Sequence, residues 1–368
     1  MKPSSQIALL YAAMSGTAYT QTGSSSVQLY GIVDSGIEHV TNAGAGRVSV
    51  TRMPSVTGGQ MPSRFGLRGT EDLGAGLKAV FTLESGFGVD NGSLLQGGRF
   101  FGRQAFVGFS NDWGTLTLGR HWSMVFYSML DADVIGPAAL GMAPLDPYIP
   151  SARTDNSILY RGSFKWLTVG ATYSFGRDAL QTANCAGETS GSACRAWSTM
   201  LKYDTPTWGT ALAYERLNGG PAGTFIGQPA GTVASPGNTD SRTILNAYVK
   251  FAGTKVGGGW IQRKMKAEPT RLSTDLYFLG VSHPFTTAFS VDAQVLNLRD
   301  ERANANARAL VARANYALSK RTSVYALAGR VLNDSNAAYS ISGGEIASAA
   351  PTAGGGQTGT MVGIRHTF

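Results

Sequence analysis

Arg64 and Arg68 stand four residues apart in an alternating run, so a strand there would turn both guanidinium groups to one face. Arginine stays charged at any relevant pH and offers several donors to a phosphate or carboxylate. Further along, Asp131, Asp133 and Asp146 lie among Gly136, Pro137, Pro144, Pro147 and Pro150. Opposed charges of this kind can set a field across a space, but they are not catalytic machinery. The four histidines, His39, His121, His283 and His366, are scattered, and no GxSxG, HExxH or phosphate-binding P-loop occurs. No catalytic residue, metal site or cofactor is expected. Cys185 and Cys194 lie in a Gly/Ser/Thr-rich stretch with no His nearby and no CxxC spacing. In an exported chain that pair fits a disulfide better than a metal site.

Composition limits what can carry these groups. Charged residues are 15 % of the 368, well under the quarter or so usual for soluble domains, while glycine reaches 48 residues. The 14 Tyr, 16 Phe and 6 Trp are too many for a disordered chain. No apolar run approaches the roughly 20 residues of a membrane helix. Residues 1–20 read as a signal peptide: Lys2, an apolar core from Ile7 to Met14, then Ala18 and Thr20 before a cleavage point at Gln21. Residues 21–368 are then one domain.

That domain alternates apolar and polar residues through sixteen runs, from 27–40 to 358–368. In one, Leu310, Ala312, Ala314 and Tyr316 oppose Val311, Arg313 and Asn315; in another, Phe289, Val291, Ala293 and Val295 oppose Ser290, Asp292 and Gln294. The last run, ending at Phe368, reads equally well by itself as an edge strand of a soluble sandwich. The connections break that tie. Those at 71–75, 111–114, 204–208 and 319–321 are tight, whereas 89–101, 122–155, 177–195, 218–242, 266–274, 299–307 and 333–357 are long. Short turns at one end and long loops at the other suit an outer-membrane barrel, with apolar residues facing lipid and polar ones facing water. The net charge of +8 raises nucleic-acid binding as an alternative, but the arginines are dispersed over alternate strands and no nucleic-acid motif occurs.

Four stretches carry a family resemblance: Ser26–Asp34 (SVQLYGIVD), Ser63–Gly74 (SRFGLRGTEDLG), Gly102–Phe109 with Gly114–Arg120, and the terminal Gly363–Phe368. Together they resemble the trimeric general-diffusion porins of Gram-negative outer membranes, of the beta-proteobacterial type. The resemblance implies an all-β, 16-stranded antiparallel transmembrane β-barrel with its third long loop, 122–155, folded into the lumen. It implies a basic wall at the constriction, matching Arg64, Arg103 and Arg161, with Arg68 on the face of Arg64. Asp131, Asp133 and Asp146 would supply the acidic side of that loop. It also implies a homotrimer in outer-membrane lipid and lipopolysaccharide, and a terminal strand ending in Phe368 that the barrel-assembly machinery reads. The expected cargo is small hydrophilic solutes and ions, with a preference for anions. A channel specific for an organic anion or a sugar is the alternative, although no aromatic ladder for sugars can be assigned.

Overall fold

The computed structural model describes residues 25–54, 59–178, 185, 191–222, 224–267, 269–343 and 350–368. The expected leader, 1–20, lies outside them. The strands are β1 (Ser26–Ala43), β2 (Val48–Arg52), β3 (Arg64–Gly74), β4 (Leu77–Gly86), β5 (Gln104–Asn111) and β6 (Gly114–Trp122). After one long connection come β7 (Arg153–Phe164), β8 (Leu167–Ser174), β9 (Ala196–Asp204), β10 (Trp208–Asn218), β11 (Thr239–Phe251) and β12 (Thr254–Lys266). The series ends with β13 (Arg271–Pro284), β14 (Phe289–Asp300), β15 (Ala307–Ala317), β16 (Thr322–Asn333) and β17 (Gln357–Thr367).

Consecutive strands pair antiparallel from β3 to β17, β2 and β3 both pair with β1, and β1 meets β17 to close the ring, with Ile32 opposite Thr367 and Val40 opposite Gly359. The wall has sixteen positions because β2 and β3 share one flank of β1. Val48–Arg52 faces Ala43–Glu38, and Arg64–Thr70 faces Ile32–Ser26. β2 has no counterpart among the sixteen sequence runs. Two connections expected to be long are short. β12 and β13 pair out to Lys266 and Arg271, leaving 267–270 between them, and β14 and β15 leave only 301–306.

Burial shows which way the strands face. On β17, Met361 is 2 % exposed while its neighbour Val362 is 60 % exposed. Across the molecule Val107, Leu118, Leu212, Leu245, Leu279 and Leu310 are exposed, whereas Asp34, Glu38, Glu84, Arg242 and Gln294 are buried. A soluble sandwich would bury the apolar set. This pattern is inverted, as a barrel in hydrocarbon requires.

Residues 123–152, here called loop 3, hold the one α-helix among the described residues, α1 (Met124–Met129), and a 3-10 turn at Ile149–Ser151. A helix this short has little stability of its own. It is held by burial of Met124, Val125 and Met129, and the rest of the loop buries Ala132, Val134, Ile135, Leu140 and Met142. These pack on Ile244, Ile261, Leu276, Leu298, Val311 and Leu327, which alternate with the exposed belt and so lie on the inner face. Gly257 on β12 leaves room for this packing, because a side chain there would run into the Ala132 carbonyl.

Candidate functional site

One side of loop 3 faces a wall rich in guanidinium groups. Period-2 alternation turns Arg64 of β3 and Glu84 of β4 to the lumen, and Arg103 precedes β5 beside them. Glu84 is shared: Arg103 donates Nε to Oε1 at 2.7 Å, Arg64 Nε lies 3.6 Å from Oε2, and the Tyr30 hydroxyl donates to Oε2 at 2.9 Å. Trp122, at the end of β6, stacks on Phe126 of α1 with centroids 3.6 Å apart. Its ring also takes the Arg153 guanidinium at 3.4 Å and that of Arg103 at 5.2 Å. An aromatic face orients a guanidinium without cancelling its charge.

Three cavities border loop 3, two against this wall and one against β15 and β17. One of about 320 Å³ is lined by Arg103, Arg120, Arg153, Arg177 and Asp178, and one of about 210 Å³ by Arg64, Glu84, Arg103 and Trp122. The third, about 260 Å³, has Asp133, Arg313 and Arg365 in its lining. All three share Pro137 and Pro150 of loop 3, so they meet around that part of the loop. Arginine outnumbers acid along it.

The other side of loop 3 is bound to the wall by paired charges. Arg242 of β11 grips the Asp146 carboxylate through Nε at 2.8 Å and Nη2 at 2.9 Å, with Tyr148 stacked on the guanidinium at 4.4 Å. Asp240 joins Arg242 to Arg263. Burial opposes the charge of Asp146, but the Arg242 guanidinium holds its carboxyl below the ordinary carboxylate range. Lys202 of β9 pairs with Asp131 and with Asp204. Arg313 of β15 pairs with Asp292 and donates to the carbonyls of Ile135 and Val134 at 2.8 and 3.0 Å.

The expected site residues therefore separate. Arg64 and Arg103 come together. Arg161, on β7, stands apart with its guanidinium 4.6 Å from the Tyr127 ring of α1. Arg68 is exposed and bound to Gln28 Oε1 at 2.9 and 2.7 Å, about 13 Å along β3 from Arg64 by strand rise. Of the three aspartates, only Asp133 lines the passage; burial raises its carboxyl, against the pull of the Gly136 N–H it accepts. Cys185 and Cys194 are joined as a disulfide. Phe368 exchanges backbone hydrogen bonds with Gly31, at 3.0 and 3.1 Å, and its ring lies where a Gly31 side chain would be.

Sequence reasoning missed Glu84, Arg120, Arg153 and Trp122. Glu84 was findable, since Thr82 and Glu84 alternate with Phe81 and Leu83. Arg120 and Arg153 were not, because the β6–β7 register shifts between Gly119 and His121 and breaks the alternation.

Comparison with known proteins adds independent observations. The profile of a family described as "Gram-negative porin" matches residues 7–336. Outer membrane porin protein 32 of Delftia acidovorans is 30 % identical over 380 residues, covering 99 % of this chain and 99 % of that protein. An outer membrane porin protein of Bordetella pertussis is 38 % identical over 59 % of this chain and 60 % of its own length. Among solved structures, an anion-selective porin from Comamonas acidovorans superposes with a TM-score of 0.79 at 27 % identity, covering 94 % of this chain and all of that one.

Proposed function

This chain belongs to the Gram-negative porin family and is an outer-membrane channel for passive diffusion, and we propose that its passage favours anions. The observation that carries this reading is the support of the arginines. Trp122 orients Arg103 and Arg153 without neutralising them, and the single carboxylate of Glu84 is divided between two guanidiniums and a tyrosine. A small anion crossing here exchanges part of its hydration for charge-assisted donors, while a cation meets repulsion. The anion-selective Comamonas porin, similar over nearly the whole chain, supports the same direction.

In this reading loop 3 forms the constriction, Arg64, Arg103 and Arg153 form its basic wall, and Asp133 is its acidic counterpart. Arg161 and Arg68 act nearer the tight-turn mouth. The functional form is a homotrimer of chains cleaved after residue 20, and the barrel-assembly machinery takes hold of the strand ending in Phe368. Reversal potential across a planar bilayer under a potassium chloride gradient tests the selectivity. The expected sign is that of chloride carrying more current than potassium; a zero or cation-signed potential would overturn it.

A further inference from the structure

The Cys185–Cys194 disulfide has no part in the basic wall, yet its two halves flank residues that border the 320 Å³ cavity. Just past the end of β8, Arg177 donates its backbone N–H to the Cys194 carbonyl at 2.9 Å, and Asp178 and Cys185 exchange backbone hydrogen bonds at 3.4 and 2.5 Å. Residues 177 and 178 are thus each tied to one half-cystine, and the covalent link joins the two ties. Cys194 donates in turn to the Gly219 carbonyl at 2.8 Å, just beyond β10, which connects the cluster to the wall. Both half-cystines are buried.

What this cluster holds in place is charged. Asp178 Oδ1 accepts from Arg99 Nη2 at 3.0 Å, and the same nitrogen lies 2.9 Å from Asp155 Oδ2. Arg99 belongs to the connection between β4 and β5, whose Leu95, Gln96 and Gly97 line the cavity together with Arg120, Arg177 and Asp178. Arg120 pairs with Asp155 and donates Nε to the Gly102 carbonyl at 2.7 Å. Arg177 is fixed through Nε to the Asn218 carbonyl at 2.9 Å and through Nη2 to the Thr224 carbonyl at 2.8 Å. The Asp178–Arg99 pair therefore bridges two loop-end connections that both border the cavity.

The cross-link joins residues nine apart in sequence. Closure entropy grows with the logarithm of loop length, so a link this short constrains the unfolded chain less than a long one, and its leverage is local. We propose that Cys185–Cys194 is a positioning element for the loop-side mouth of the channel: it fixes Asp178, Asp178 holds Arg99, and Arg99 keeps the 95–99 segment against the passage. A carboxylate–guanidinium pair out of water depends on close geometry. Once Asp178 shifts, Arg99 loses one of its two carboxylates and must share the other, Asp155, with Arg120. The proposal rests on the channel assignment and is independent of the anion preference.

The test records single channels of the full protein in a planar bilayer, with uncharged polyethylene glycols of increasing size added first to one side and then to the other. A polymer that enters a mouth lowers the current, so the largest that does so measures that mouth. Cys185→Ser with Cys194→Ser should shift the loop-side cut-off to larger polymers and leave both the turn-side cut-off and the sign of the reversal potential unchanged. Asp178→Asn, its disulfide verified intact by mass spectrometry, should give the same shift, and the triple variant no more than either. An unchanged loop-side cut-off in a folded variant, or a triple variant in which the two shifts add, would give the disulfide a structural role alone and overturn the proposal. Should the serine pair fail to assemble, Asp178→Asn decides by the same cut-off. A wild type that does not conduct would instead overturn the channel assignment, a failure seen before any polymer is added.

Discussion

Loop 3 has two edges, and the same residue types do opposite work along them. Toward β9, β11 and β15, each cation is matched by carboxylate: Arg242 and Arg263 by Asp146 and Asp240, Lys202 by Asp131 and Asp204, Arg313 by Asp292. Toward β3 to β7, Arg64, Arg103 and Arg153 share Glu84 and the face of Trp122. Matched charge fixes a segment in place, whereas charge held by an aromatic ring stays available to a passing ion. The chain thus separates anchoring from conduction by how much carboxylate it sets against each group of arginines.

Breaking the anchored edge should have the largest effect. Arg242→Ala leaves Asp146 and Asp240 with less compensation in a buried site, a loss of about 3–5 kcal/mol. Thermal unfolding should shift down, and single-channel records should become larger and noisier as loop 3 leaves the wall. Unchanged conductance would show that packing alone holds the loop. Next comes the conducting edge. Arg64→Gln with Arg103→Gln should move the reversal potential toward cations, with a smaller loss of stability than Arg242→Ala because the buried Glu84 keeps its Tyr30 donor, and no movement would place the selectivity elsewhere.

Acidification compares the two edges directly. Asp133 has a raised pKa, so it takes up its proton at a higher pH than an ordinary aspartate, and the passage should then prefer anions more strongly. Asp146 has a depressed pKa. Its contribution is full above the unfolded value and is lost only as pH falls through the lower folded one. Anion preference should therefore rise on mild acidification before the loop is released, and Asp133→Asn should abolish the rise. The smallest effect is expected from Tyr30→Phe, which removes one hydrogen bond to Glu84 worth about 1 kcal/mol; a small drop in melting temperature with unaltered selectivity would fit.

The barrel was legible because a strand between lipid and water must alternate. The runs read at 308–317 and 322–332 correspond to Ala307–Ala317 and Thr322–Asn333. β2 escaped because it is only five residues long and its Arg52 turns inward to Glu38. The site was half legible. Arg64 and Arg103 sit in recognisable stretches, but the partners that decide their behaviour are distant. Asp131 meets Lys202 across 71 residues, and Asp146 meets Arg242 across 96. Alternation states which way a side chain points and is silent about what waits there. That is why three aspartates with equal standing in the sequence divide into two anchors and one passage residue.

The Gly31–Phe368 contact has a kinetic consequence. The pairing that closes the ring joins positions more than three hundred residues apart, such as Val40 and Gly359, and Phe368 adds two backbone hydrogen bonds to Gly31. The other strand pairs join consecutive strands, or β1 and β3 across the short β2, whereas this one must bear the loop-closure entropy of the intervening wall. Closure is consequently concentrated at a single seam, where the β1–β17 ladder and the Gly31–Phe368 bonds supply the long-range contacts together.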